Sequence, residues 1–215
     1  MTRLANAEDD IIAALEALEA ELGAQNSEMA HVAEAGKPDR PSGEPTLDNL
    51  AAVMGNMLPE NAIVVDESVT TGRGFFPATA GAARHDWLNN RGGSIGFGMP
   101  VALGAAVAAP DRKVVLLEGD GSGMYTIQSL WSMAREQLDV TTIVFSNRSY
   151  KILRGELSNV GVQNPGPRAI DMLTLDRPDL GWVDMAKGMG VDGEQVSDCE
   201  GLMRAMEAGL QTDGP

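Results

Sequence analysis

Lys113–Trp131 reads KVVLLEGDGSGMYTIQSLW: a short continuous apolar run, then Gly-Asp-Gly-Ser-Gly, then apolar residues at helical spacing. A run this short, unbroken by polar residues and bounded by glycine, predicts a strand buried on both faces. Gly119 and Gly121 flank Asp120, so the backbone can turn tightly there and a ligand can come close to it. The helix that follows aims its free N–H groups into the same turn. A carboxylate in that position repels a bare phosphate unless a cation lies between them. The other ligands of such a cation have to come from elsewhere in the chain.

Working outward, Ala62–Asp66 (AIVVD) and Thr141–Asn147 (TTIVFSN) read as two more strands, and Lys113–Asp120 is the one between them. Helices are expected over Thr46–Leu58, capped by Thr46 and stopped at Pro59, over Phe97–Ala109, and over Met124–Gln137. Two more are expected near Trp182–Lys187 and Glu200–Leu210, with residues 154–180 read as loop. Apolar strands alternating with helices predict an α/β fold, a parallel sheet with helices on both faces. Ligands of such sheets bind beyond the carboxyl ends of the strands. The polar turns ESVTTG (67–72), GDGSG (119–123) and NRSY (147–150) all follow strand ends, so they should converge on one edge. Upstream, Asn6–Gly23 reads as a helix with Asn6 as its cap and an apolar stripe of Ile11, Leu15, Leu18 and Leu22. Residues 24–45, rich in Gly and Pro, read as a linker, with His31 solvated in it, and 46–215 as one domain. The ending GLMRAMEAGLQTDGP reads as a helix that a further apolar strand should follow, so the domain is expected to lack its last strand.

The bulk composition excludes several classes. A net charge of −15 repels nucleic acid and anionic membranes alike. A single cysteine, Cys199, allows no internal disulfide and fits a reducing compartment. No apolar run reaches the length of a membrane span, and the N-terminus lacks a secretory signal's apolar core. A cytoplasmic location is the expectation. An apolar fraction of 43% with only 4% aromatic residues suits an α/β domain rich in Ala, Val and Leu.

Asp120 closes one strand and Asn147 another, with 25 residues between Gly121 and Asn147. That interval holds one helix and one strand, so both side chains can reach one point. A carboxylate, an amide oxygen and a backbone carbonyl are the hard donors that Mg²⁺ accepts beside phosphate oxygens. Gly-Asp-Gly followed at this distance by Asn resembles the cofactor motif of thiamine-diphosphate enzymes. The whole stretch Gly92–Leu153, from GGSIGFGMP to SNRSYKIL, is similar to the cofactor-binding domain of the acetolactate synthase large subunit and its benzoylformate decarboxylase-like relatives. HDWL (85–88) and PDLGWVDMAKGMG (178–190) look like the same branch, and the resemblance spans about residues 46–213. Residues 6–23 look like the tail of that family's middle domain.

The resemblance implies a set of roles. Asp120 and Asn147 would bind Mg²⁺ through side chains and Ser149 through its carbonyl. The amides of Gly121 and Ser122, with Ser68 and Thr70, would hold the diphosphate of thiamine diphosphate. Gly93 would accept from the aminopyrimidine through its carbonyl, and Ile95 would wedge between the two rings and enforce the bent conformer. Ser94, Gly119 and Tyr150 complete the implied cofactor-binding set. The implied activity is decarboxylation or carboligation of a 2-keto acid, as a lyase or transferase, in a homo- or hetero-oligomer. In this family a glutamate from a pyrimidine-binding domain, usually a partner subunit's, activates the ring. Glu67 and Glu118 sit in the wrong motifs to replace it, so the chain alone is expected to be inactive. Ser146 stands where the family often has a second Asn. His85 is a candidate acid–base group facing substrate, a structural histidine being the alternative.

Each residue also has a plainer reading. Gly-Asp-Gly alone is usually a turn; Asp120 can be a helix cap, Asn147 a turn former, Ile95 a core residue. Gly92, Gly93, Gly96 and Gly98 can serve helix packing alone. Two other functions stay open. A dinucleotide oxidoreductase would need GxGxxG after the first strand, where ESVTTG stands instead. A non-catalytic cofactor-binding fragment or assembly module is the other.

Overall fold

Strand Val114–Gly119 (β3) lies at the centre of the sheet because nothing in it objects to burial: Val114 to Leu117 are fully enclosed. Each such side chain contributes roughly 1.5–3 kcal/mol relative to exposure. The computed structural model describes residues 3–28 and 33–215, so His31 lies outside the described residues. The chain divides into two compact units, Met1–Glu34 and Ala35–Pro215.

In the first unit, helix Ile11–Leu22 (α1) is capped by Asp10, whose carboxylate accepts from Ile12 N–H at 2.9 Å and Ala13 N–H at 3.1 Å. The expected cap, Asn6, stands earlier and is bonded to Asp9 instead. Gly23 closes the helix in the left-handed region at φ 65°. No side chain of α1 is buried.

The second unit runs helix Leu47–Met57 (α2), strand Ile63–Glu67 (β1), the short helix Phe75–Thr79 (α3), strand Asp86–Asn89 (β2), helix Gly98–Ala108 (α4) and β3. It continues with a single turn Asp120–Gly123 (α5), helix Ser129–Glu136 (α6), strand Val140–Phe145 (β4), and helices Lys151–Asn159 (α7), Pro167–Met172 (α8), Trp182–Gly188 (α9) and Cys199–Gln211 (α10). Four parallel strands stand in the order β2-β1-β3-β4. Alternate residues of β1 and β3 face opposite layers. Val64, Val115 and Leu117 join Val53, Met54, Phe75 and Met206 on the side of α2, α3 and α10. Val65, Val114 and Leu116 join Met99, Ala102, Leu130 and Met133 on the side of α4 and α6. The α/β fold with helices on both faces is therefore the observed one.

Some expectations differ from what the chain does. Strand β2 was not foreseen, because its four residues are polar or exposed except for half-buried Trp87. Residues 154–180 are not one loop: they complete α7 and contain α8. Residues 35–45 belong to the second unit and are pinned to it. Gly36 N–H donates to Gly81, Asn56 donates to the Pro38 carbonyl, and Gly43 N–H donates to Glu200. The Gly43 carbonyl in turn accepts from Cys199 N–H, and Cys199 itself is buried. On its outer side β4 has no strand beside it among the described residues; a cleft of about 890 Å³ separates it from residues 191–198.

Candidate cofactor site at the carboxyl edge of the sheet

Because the strands are parallel, the four turns that follow them emerge on one edge. After β1 come Ser68–Thr71, after β2 Asn90–Gly96, after β3 Asp120–Gly123 and after β4 Ser146–Tyr150. Of the thirteen residues expected from sequence, twelve lie in or next to these turns. His85 does not. It precedes β2, at the amino end of the sheet, where its Nδ1 is 2.7 Å from the Ala83 carbonyl and its ring meets Trp87 edge-on. A β2 of four residues separates it from the other edge by roughly 13 Å. This position sets His85 apart from the turns of the carboxyl edge that hold the other twelve residues.

Asp120 does not cap a helix with its carboxylate. The side chain reaches across to the β4 turn instead, where its Oδ2 accepts from Arg148 N–H at 2.6 Å and Ser146 Oγ at 3.3 Å. Asp120 is thereby fixed to both sequence neighbours of Asn147. Asn147 is exposed, and its Oδ1 accepts from Ser149 N–H at 3.0 Å, an Asx turn that leaves a second lone pair. Arg148 takes φ 58° to make this turn, a conformation that non-glycine residues seldom adopt outside such sites. The Ser149 carbonyl accepts from Lys151 N–H at 2.8 Å, and its hydroxyl donates to the Leu173 carbonyl. Gly121 is enclosed by Tyr150: a Cβ there would lie 2.7 Å from the ring.

On the other half of the edge, Asn90 clips the glycine turn. It accepts from Gly93 N–H at 3.1 Å and donates to the Ser94 carbonyl. Gly92 and Gly93 both have φ near +75°, and Ile95 projects outward at 52% exposure, so it is not a core residue. Thr70 is half-buried at the tip of the β1 turn. Ser68 is buried, its hydroxyl and its N–H both given to Asp66 Oδ1, at 2.5 and 3.0 Å, while its carbonyl accepts from Thr71 N–H. Between them Val69 takes φ 50°, uncommon for a β-branched residue.

Two buried glutamates at this edge carried no sequence signal beyond their place at strand ends. Glu67 and Glu118 are register partners on β1 and β3, pointing side by side toward α4. Glu67 accepts from Gly96 N–H at 2.6 Å and Gly98 N–H at 2.5 Å. Glu118 accepts from Ser122 Oγ at 2.5 Å and Gly119 N–H at 3.1 Å, while its Oε2 has no partner among the described residues. Burial pushes the Glu118 carboxyl up to about 8, and the charges of Glu67 and Asp66 push the same way against the Ser122 bond. Burial also raises Asp66, Glu67 and Asp120, opposed by their hydrogen bonds to Ser68, to Gly98 and Gly96, and to Arg148 and Ser146. Four carboxyl groups thus stand at the ends of two adjacent strands, and of these Glu118 feels the charges of Glu67 and Asp66. Among the described residues no three His, Cys, Asp or Glu side chains gather as a metal cluster. A cation at Asp120 would have one carboxylate and otherwise neutral oxygens, a donor set that suits Mg²⁺ carrying phosphate ligands.

Among the described residues no helix is long and apolar enough to cross a membrane. Comparison with known proteins agrees with this fold. Residues 74–215 match the family model of the thiamine pyrophosphate enzyme C-terminal TPP binding domain. A provisionally named acetolactate synthase large subunit, IlvX, of Mycobacterium tuberculosis is 53% identical over 188 residues, which is 87% of this chain and 36% of that protein. Benzoylformate decarboxylase of Pseudomonas aeruginosa is 33% identical over 185 residues, 86% of this chain and 32% of that protein. The solved thiamine diphosphate-dependent 4-hydroxybenzoylformate decarboxylase of Rhodococcus jostii superposes with a TM-score of 0.76 at 29% identity, covering 94% of this chain and 37% of that one. The chain spans about a third of the length of these relatives. On the match over residues 74–215, the chain belongs to the thiamine pyrophosphate enzymes and contains their C-terminal cofactor-binding domain.

Proposed function

We propose that this chain binds thiamine diphosphate through Mg²⁺ and serves as the cofactor-binding part of an enzyme that decarboxylates or ligates 2-keto acids. The observation that carries the reading is the bridge from Asp120 to Ser146 and Arg148, which brings the ends of β3 and β4 to one point around Asn147. Asp120, Asn147 and the Ser149 carbonyl would hold the metal. The amides of Gly121 and Ser122, with Thr70 and Ser68, would hold the diphosphate, Ser68 by turning its hydroxyl from Asp66. The glycine turn, with Gly93, Ser94 and exposed Ile95, would receive the aminopyrimidine, and Gly119 and Tyr150 would line the space between. When bound, the cofactor supplies a carbanion-forming carbon and an electron sink for decarboxylation. This chain's residues bind and orient it, and the apolar Ile95 would keep its rings bent.

Turnover requires a pyrimidine-binding domain that offers a glutamate to the ring, from a further part of the protein or a partner subunit. Glu67 is not that group, because its carboxylate is buried against the start of α4 and held there by the N–H groups of Gly96 and Gly98. Calorimetry with thiamine diphosphate, with and without Mg²⁺, tests the reading. Binding should depend on the metal and vanish in Asp120→Ala. Unchanged affinity in that variant would exclude the site.

A further inference from the structure

Glu67 is 3% exposed and stands at the last position of β1, yet it takes no part in the sheet's core. Its carboxylate instead receives two backbone N–H groups from a segment about thirty residues away, Gly96 on Oε1 and Gly98 on Oε2, and the Phe97 N–H between them faces it as well. Those groups are the orphan donors at the start of α4, and the residue preceding that helix, Phe97, offers no side-chain cap. A carboxylate is the favoured partner for them, since the positive end of the helix dipole lies there.

The fit around it leaves no slack. A Cβ on Gly98 would fall 2.9 Å from both Cβ and Oε2 of Glu67, and Gly96 is held at φ 85°. Glu67 is also joined to the two other turns of this half of the edge. The peptide bond ties it to Ser68 and the left-handed Val69, and its carbonyl lies 3.4 Å from the Ser122 hydroxyl in the β3 turn. The two ends of the cofactor therefore meet turns whose spacing runs through one residue. An acid–base role would need a carboxyl oxygen free to meet the ligand. Here both are buried against the start of α4 and held there by main-chain donors, so the role left is a mechanical one.

We propose that Glu67 is a positioning residue that fixes the glycine turn 92–98 against the diphosphate-side turns, so that one rigid distance separates the two halves of the cofactor site. The proposal rests on the thiamine diphosphate reading for its ligand, while the clamp itself is a property of the free chain. Glutamine at 67 keeps the shape but presents an N–H₂ where a second acceptor is needed, leaving one buried N–H without a partner. Aspartate keeps the charge but is one methylene short of the turn.

The test uses Glu67→Gln, with Glu67→Asp as the second variant, and two probes: Mg²⁺ with thiamine diphosphate, and Mg²⁺ with inorganic pyrophosphate. Both variants should bind thiamine diphosphate at least tenfold more weakly while their affinity for pyrophosphate stays within about twofold of the parent chain. In the ligand-free chain, amide exchange at Gly96 and Gly98 should quicken at least tenfold while that of β3 is unchanged. Equal losses for both probes, or unaltered exchange at the two glycines, would overturn the clamp. A parent chain that binds neither probe but shows the accelerated exchange on substitution would refute the cofactor reading and keep the clamp.

Discussion

Glu118 shows how one residue can set the pH response of the molecule. It is fully enclosed, its Oε2 has no partner among the described residues, and its carboxyl is raised to about 8 from 4.5. Below about pH 4.5 both folded and unfolded chains carry its proton, and the group does not discriminate between them. Between 4.5 and 8 the folded chain keeps a proton that the unfolded chain releases, so stability falls as pH rises. The loss is complete near pH 8 and amounts to on the order of a few kcal/mol. Denaturant titrations of the metal-free chain should show this decline, and Glu118→Gln should flatten it. A variant with the parent's slope would assign the pH response to other groups.

Helix ends belong to the next scale. Asp198 accepts from Gly201 N–H at 2.6 Å and starts α10, the helix whose Leu202, Met203 and Met206 cover the sheet. Asp198→Ala should lower stability by about 1 kcal/mol, read as a fall in melting temperature with the circular dichroism spectrum unchanged. Such caps were legible in the sequence only where competition was absent. Thr46 caps α2 as its spacing promised, because Pro45 and the apolar run leave no other start. At α1 three polar candidates, Asn6, Asp9 and Asp10, stand close together, and only backbone geometry picks the last. Strands β1 and β3 and the turns after them were readable because burial on both faces demands unbroken hydrophobic runs, and the half-buried β4 because its residues are mostly β-branched. Strand β2 was not, since an edge strand of four residues needs no such run. Helices α7 and α8 were hidden by Gly155, Pro165 and Pro167, the last of which sits harmlessly in the first turn of α8. Asp120 and Asn147 could be found from spacing, but the partner of Glu67 could not, because nothing local marks a backbone N–H thirty residues away as its destination.

In the second unit as a whole, protection should follow position in the sheet. Strand β3 is paired on both sides and covered on both faces, β4 is paired on one side, and β2 is short and largely exposed. Amide exchange should be slowest in Val115–Leu117, faster along β4 and fastest in Asp86–Asn89, as mass spectrometry of peptic fragments would report. Equal rates in β2 and β3 would contradict the sheet order. The chain's single thiol, Cys199, is buried in the first turn of α10, while the side chain at position 95 stands in solvent at the mouth of the edge. An Ile95→Cys variant would therefore give a maleimide fluorophore one address on the native protein. Its emission would follow arrivals at the glycine loop directly, without the background labelling that forces most enzymes to be stripped of their sulfhydryls first.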